Sequence, residues 1–306
     1  MILCAGECLI DMLPRSVDGQ SMLQPVPGGA VMNTAVALGR MDVPVEFLSG
    51  LSTDQFGTMI GAHVASSNVG TGFAVRSNRP TTLAFVDFND GVVSYDFYDE
   101  NTAGRMIETS DVPELPDDVR AVFCGGISLI NAPAADAYAH LVEKNADRLV
   151  MLDPNIRPAF IDDPEAFRAR LTKMLAKADI VKTSDEDLAW LFPDTSFEEG
   201  VSRLLTMGPR VVLFTEGSKG ATAMRSDQPP VFAPSEKVEV VDTVGAGDTF
   251  NAGFLTSLFD QDLLAKSKVD GLKEEQLSKA LAFANRCAGL SVTKAGAQPP
   301  WRHELA

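Results

Sequence analysis

The chain is poor in the residues that build metal clusters, disulfide frameworks and basic surfaces. Its 306 residues include 4 cysteines, 3 histidines and 2 tryptophans. Cys4, Cys8, Cys124 and Cys287 have no paired CxxC spacing, and His63, His140 and His303 lie scattered. Buried, reduced thiols are therefore expected rather than a zinc site or disulfides. Basic residues are outnumbered, with 26 Lys and Arg against 42 Asp and Glu and a formal net charge of −16. Nucleic acid and anionic membranes both demand a basic face, so neither is expected as a partner. No apolar run reaches the length of a membrane span and the N-terminus lacks the basic start of a signal peptide, which predicts a cytoplasmic protein. Internal repeats, low-complexity segments, GxxxxGK[ST] and GxGxxG are missing too, as is the protein-kinase motif set. Any phosphate site must then be local, made from backbone amides, a few cations and a metal ion.

What is present is an ordinary soluble composition, 45% apolar and 22% charged, arranged as alternating strand and helix patterns. Apolar strands are read at Ile2 to Leu13, Val45 to Leu48, Ala121 to Cys124, Leu149 to Leu152, Asp179 to Val181, Arg210 to Thr215, Ala221 to Arg225 and Val238 to Val241. Between them lie helical patterns at Asn33 to Met41, Gln55 to Ser67, Pro133 to Asn145, Pro164 to Ala176, Asp185 to Phe192 and Ser196 to Met207. A Pro-rich turn follows at Pro229-Pro230, then a long helix from Gly247, a charged surface segment from Asp260 to Lys273 and a last helix from about Glu274 to Thr293. Such alternation predicts an α/β fold whose central, mostly parallel sheet is covered by helices on both faces. Thr81 to Phe88 and Val92 to Tyr98, joined by the turn signal Asn89-Asp90-Gly91, interrupt it and suggest a small sheet standing apart.

The stretch with most chemistry is Asp242-Thr243-Val244-Gly245-Ala246-Gly247-Asp248-Thr249-Phe250. Its glycines sit at a strand-to-helix turn, where free N–H groups and the helix dipole form a candidate anion cradle. Asp248 has two readings of equal weight: a first-turn acid favoured by the dipole, or a base placed to take a proton from an attacking hydroxyl. Asp11 after the first strand has the oxygens to chelate neighbouring sugar hydroxyls, Gly28-Gly29 permits close backbone approach, and Asn33 offers a donor and an acceptor. In a parallel sheet these groups gather at the carboxyl ends of the strands with Asp153 to Arg157, Lys182 to Ser184 and Thr215 to Gly217. Together they suggest phosphoryl transfer from a nucleotide to a small hydroxylated acceptor.

These motifs resemble the ribokinase-like, or PfkB, carbohydrate kinases. Asp242 to Asp248 followed by Ala252-Gly253 matches the family's C-terminal signature, and Gly28 to Ala35 resembles its N-terminal one. Gly6-Glu7 through Asp11, Asp54 to Gly57, Asp153 to Arg157 and Thr215 to Gly220 follow in the family's order. The resemblance implies one ribokinase-like domain over 1–306 with a β lid formed by segments near 12–27 and 78–105. It implies that Asp248 is the base, that the amides of Gly245, Ala246 and Gly247 form the anion hole, and that Arg157 stands near substrate or phosphate. Asp11, Gly28, Gly29, Asn33 and Tyr98 would hold the sugar. Lys182, Ser184, Thr215, Gly217, Gly220, Gly247, Asn285 and Ala288 would meet the nucleotide. Asp187 would lie on the Mg²⁺ side, through water, and Asp242 with the Val244 carbonyl would be ligands of the K⁺ site found in part of the family. Ser184 and Asp187 stand where many members have Asn-x-x-Glu, a departure associated with fructokinase-like members.

By this resemblance the expected activity is ATP- and Mg²⁺-dependent phosphorylation of a small sugar, foremost fructose at its primary hydroxyl, by a homodimer joined through the lid. The rivals are a 2-keto-3-deoxygluconate kinase, which needs a cation such as Arg105 or Arg157 for the substrate carboxylate, a nucleoside kinase, and a catalytically inactive sugar-binding protein. Tyr98-Asp99, where such keto-acid kinases often carry Tyr-Arg, weakens the first.

Overall fold

In a computed structural model, which describes residues 1–89, 92–226 and 228–305, the alternating patterns resolve into an eight-stranded sheet, a four-stranded sheet, a short two-stranded pair and flanking helices. In chain order the first half contains β1 (Ile2–Ala5), β2 (Leu9–Val17), β3 (Gln20–Gly28), α1 (Ala30–Arg40), β4 (Val45–Leu48), β5 (Gly50–Ser52), α2 (Gln55–Ser66), β6 (Val75–Ser77), β7 (Leu83–Asn89), β8 (Val92–Tyr98), β9 (Ala121–Gly125), α3 (Ala134–Lys144) and β10 (Leu149–Asp153). The second half contains α4 (Pro164–Leu175), β11 (Ile180–Thr183), α5 (Asp185–Leu191), α6 (Phe197–Thr206), β12 (Val211–Thr215), β13 (Gly220–Arg225), β14 (Gln228–Pro234), α7 (Ala246–Asp260), α8 (Lys266–Val269) and α9 (Glu274–Ser291).

The larger sheet has eight strands in the order β14-β13-β12-β11-β10-β9-β1-β4. It is parallel from β12 to β4, and β13 and β14 add antiparallel strands at one edge. Alternate residues of each strand feed two separate cores, as a period of two requires. Ile2 and Cys4 join α1, α2, α7 and α9 on one face, while Leu3 and Ala5 join α3, α4, α5 and α6 on the other. Capping fixes several helix starts: Asp54 takes the Gly57 N–H before α2, Asp163 takes the Glu165 and Ala166 N–H groups before α4, and Ser184 with Asp187 forms a reciprocal capping box before α5.

The smaller sheet, β3-β2-β7-β8, stands apart from the first. The β2–β3 and β7–β8 pairs are antiparallel hairpins, and β2 pairs with β7 in parallel. Residues 90 and 91 of the expected Asn89-Asp90-Gly91 turn lie outside the described residues.

Four expectations need correction. The apolar run Ile2 to Leu13 is not one strand. It breaks at Gly6-Glu7-Cys8 and crosses from the larger sheet to the smaller, so Asp11 lies within β2 rather than past a central strand. Gly6 marks the break, because α1 packs so closely that a Cβ there would stand 2.5 Å from Val31. Val238 to Val241 is irregular and largely exposed, with Val240 58% and Val241 60% accessible. Val238 and Val240 line a cleft instead of a strand core. Pro229-Pro230 lies inside β14, at the sheet edge where missing N–H donors are tolerated. Finally, the stretch from Asp260 to Lys273 is only partly surface, since Leu264, Val269 and Leu272 are buried.

Candidate active site

β1 lies between β4 and β9, and the chain proceeds from it to β4 on one side and returns to β9 on the other. In open α/β sheets such a reversal opens a crevice at the carboxyl ends of the strands. The N-terminus of α7 is built there. Gly245 caps it at φ 76, where a Cβ would also stand 2.8 Å from that of Ala297, so a side chain is disfavoured twice. Ala246 N–H donates to the Thr243 carbonyl at 3.2 Å and is partly used in closing the turn. Gly245 and Gly247 supply the other amides of the expected cradle.

Asp248, in the first turn of α7, is 7% exposed. Asn33 of α1 donates to its Oδ2 at 2.9 Å, and the Thr34 hydroxyl donates to its backbone carbonyl at 3.3 Å. Burial pushes the carboxyl up to about 7, with Asp153 and Glu7 adding to the rise, while the Asn33 hydrogen bond and the Lys182 charge oppose it. This is the range in which a carboxylate works as a base near neutral pH.

Beneath the glycine turn lies a buried charge pair. Lys182, at the end of β11, places Nζ 3.1 Å from Asp153 Oδ2, and Asn251, one turn after Asp248, donates to the same oxygen at 2.7 Å. A Cβ on Gly247 would stand 3.3 Å from the Lys182 ammonium. Burial pulls Lys182 down, but the Asp153 and Asp187 carboxylates outweigh it, so the pKa is raised and the ammonium stays charged. Expected on the nucleotide side, Lys182 lies below the cradle, where a fixed cation favours an anion above it.

On the small-sheet side, burial alone raises Asp11 to about 6. The packing is tight, since a Cβ on Gly28 would stand 2.2 Å from Asp11 Oδ2. Gly29, at φ 116, precedes the α1 helix that carries Asn33. The expectation for Tyr98 is corrected. Asp11, Ala84 and Phe97 are register partners on one face of the sheet, and Tyr98 projects from the other, edge-on to Phe85. Among the described side chains of β8, Tyr95 and Phe97 lie on the Asp11 face. Arg157 is exposed, and its Nη1 turns back to the carbonyls of Asn155 and Ile156. Arg105 is held by Asp99 at 2.6 Å and by the Ala132 carbonyl at 2.8 Å.

Thr215, Gly217, Gly220, Gly247, Asn285 and Ala288 come together around a cleft of about 730 Å³, together with Val238, Val240 and Val292. The Asn285 amide is itself engaged, donating to the carbonyls of Ala233 and Pro234. Asp187 accepts the Ile156 N–H at 2.7 Å and the Ser184 N–H and hydroxyl at 3.0 and 2.8 Å. Asp242 accepts the Val244 N–H at 3.0 Å and the Gly296 N–H at 2.8 Å. No group of three or more His, Cys, Asp or Glu among the described residues is arranged to hold a metal ion.

The pfkB family of carbohydrate kinases matches residues 1–304 of this sequence. The chain belongs to that family. It is thus a sugar kinase with the ribokinase-like fold. A fructokinase of Rhizobium leguminosarum bv. trifolii is 46% identical over 279 residues, covering 90% of this chain and 85% of that one. A fructokinase of Xylella fastidiosa solved with bound ATP superposes with a TM-score of 0.90 at 28% identity, covering 99% of this chain and 96% of that one. A Vibrio cholerae fructokinase solved with fructose, ADP and a potassium ion gives 0.83 at 25% identity, covering 97% and 93%.

The sequence reading left out Glu7 as a site residue, the pairing of Asn251 with Asp153, and the Val238–Val292 side of the cleft. Asn251 carries one signal in the sequence, a polar amide one turn after Asp248 between the apolar Phe250 and Ala252, and the structure buries it fully.

Proposed function

We propose that the chain transfers the γ-phosphoryl group of ATP to the primary hydroxyl of fructose, with Asp248 as the base. The observation that carries this reading is Asp248 itself: a buried carboxylate titrating near 7, pinned by Asn33, at a helix N-terminus that opens onto a nucleotide-sized cleft. The sugar oxygen attacks the γ-phosphorus, its proton passes to Asp248, and the bond to the bridging oxygen breaks as ADP leaves with the electron pair. The amides of Gly245, Ala246 and Gly247, with Lys182 beneath, stabilise charge on the moving group. Asp11 and Asn33 hold the hydroxyls, Gly28 and Gly29 let the sugar approach the backbone, and Arg157 turns towards substrate or phosphate once both are bound. Thr215 to Gly220, Ser184 and the wall of Asn285 and Ala288 receive the nucleotide.

Magnesium arriving with the nucleotide would supply charge neutralisation of the phosphates, an ion that this chemistry binds mainly through phosphate and water. The residues fit that arrangement. Asp153 Oδ1 and Asn251 Oδ1 are buried without a partner among the described residues, and Asp187 stands close to Asp153. Asp242 offers potassium no orphaned oxygen, as both of its carboxylate oxygens accept an amide.

Fructose is favoured over 2-keto-3-deoxygluconate because, of the two cations the acid could use, Arg105 is already neutralised by Asp99 and Arg157 is exposed with its Nη1 on backbone carbonyls. The relatives named fructokinase support the same choice. The small sheet is read as a lid, and Val17, Met22, Leu23 and Tyr98, all about half exposed on it, support a homodimer formed there. The buried, unpaired cysteines agree with a cytoplasmic enzyme. A coupled ADP-release assay over ketoses, aldoses, 2-keto-3-deoxygluconate and nucleosides, with and without K⁺, tests the reading. Fructose is expected to give the highest kcat/KM, and a preference for the keto acid or a nucleoside refutes it.

A further inference from the structure

Helix α1 brings Asn33 and Thr34 to Asp248, yet its own start is poorly capped. Its N-cap is Gly29, which has no side chain to offer, and no acidic residue stands in its first turn. Nearby sequence thus gives the first amides of the helix no acceptor. The acceptor comes from 23 residues upstream, where Glu7 Oε1 takes the Ala30 N–H at 2.9 Å. The other oxygen takes the Ser128 N–H at 3.3 Å, in the 3-10 turn Gly126–Leu129 that follows β9. Gly126, at φ 65, leaves room for this carboxylate, since a Cβ there would stand 2.2 Å from Oε1. Glu7 therefore ties the end of β1 to the start of α1 and to the turn after β9, across the reversal where the crevice opens. Burial raises the Glu7 pKa, and the hydrogen bonds it accepts, with the helix dipole, oppose that rise and favour the carboxylate.

We infer that Glu7 is a positioning residue for the reaction, whose carboxylate fixes the first turn of α1 so that Asn33 meets Asp248 and Gly29 borders the sugar. The inference rests on the sugar-kinase reading of this site. A misplacement of about 1 Å in such a site costs on the order of 100-fold in rate.

Two variants test it. Glu7→Gln keeps the shape but turns an NH₂ group towards an N–H donor. Ala30→Pro deletes the N–H that Glu7 accepts, at the first helical position, where proline fits. Steady-state kinetics, the folded fraction and amide exchange over residues 31–34 are measured for each variant and the double variant. Both singles are expected to lower kcat/KM for the sugar by about 10- to 100-fold with the ATP KM within twofold. Exchange over residues 31–34 should speed up, and the double variant should be no worse than Glu7→Gln alone. Wild-type kinetics in Glu7→Gln, a loss that vanishes when rates are expressed per folded molecule, or additive losses with unchanged exchange overturns the role. If Glu7→Gln does not fold, Ala30→Pro decides alone. A wild type inactive on every sugar counts against the substrate reading, while the exchange data still decide for or against Glu7.

Discussion

Replacing Asp248 by Asn should make the protein more stable and nearly inactive, and the pH dependence of both effects should trace to one group. Burial raises the carboxyl from its ordinary 3.8 to about 7. About three pKa units at about 1.36 kcal/mol each come to about 4 kcal/mol. The sign follows from proton counts. Between about pH 4 and 7 the folded state keeps a proton on Asp248 that the unfolded chain has lost, so this group lowers stability as pH rises through that window. Above 7 both states are ionised and the full cost is present. Asp248→Asn removes the titration, and its amide oxygen still accepts the Asn33 N–H. In thermal unfolding the variant should therefore match wild type near pH 4 and exceed it by about 4 kcal/mol at pH 8, a gain of several degrees in Tm. Its kcat should fall by about 10²- to 10⁴-fold, the contribution of a general base. Wild-type kcat/KM should drop about tenfold per pH unit below 7. A stability difference that stays constant from pH 5 to 8 refutes the buried titration. A wild-type activity profile flat from pH 6 to 8 refutes the base.

Gly28→Ala puts a methyl group into the space of Asp11 Oδ2, 2.2 Å away, without touching Asp248. Losing hydrogen bonds from a charged acceptor costs about 1.5–3 kcal/mol. The sugar KM should rise about 10- to 100-fold, with the ATP KM unchanged and kcat altered less than threefold, and an unchanged sugar KM removes Asp11 from the sugar site. Leu23→Asp with Met22→Asp charges the edge strand β3, where both side chains are about half exposed. Sedimentation equilibrium should show dimer converted to monomer, and a monomeric wild type excludes the lid interface.

The layout of the central sheet was legible because each strand is a short apolar run bounded by helical periodicity, and the glycine turn because only a few backbones need two glycines beside an acid. Faces and partners were harder. A one-residue shift in a strand moves a side chain to the opposite face, and nothing in the sequence shows that Tyr98 turns away from the face that Phe97 and Tyr95 share with Asp11. Periodicity likewise does not register that Ile2–Ala5 and Leu9–Val17 belong to different sheets, since both runs are apolar and only Gly6 interrupts the first. Val238 to Val241 has strand composition although Val238 and Val240 line a cleft, since a cleft wall selects apolar residues as a core does. Glu7 was hidden for a different reason. Its partners, Ala30 and Ser128, are backbone amides that leave no trace in residue type.

The same amides resolve the tension between a chain of net charge −16 and a polyphosphate ligand. Around the crevice stand Glu7, Asp153, Asp187, Asp242 and Asp248, against the buried cation Lys182, which is paired with Asp153 and feels the charges of Asp187 and Asp248. Left bare, so many carboxylates would repel phosphate. Three are instead turned onto N–H donors of the loops that shape the crevice: Glu7 onto Ala30 and Ser128, Asp187 onto Ile156 and Ser184, Asp242 onto Val244 and Gly296. Asp153 holds Lys182 in place. Negative charge is spent on fixing backbone, and peptide dipoles that are already fixed stabilise an anion without having to reorganise. Under the proposed function the acidic residues frame an anion site, and although burial also raises Glu7 and Asp153, Asp248 is the one assigned to take the sugar proton.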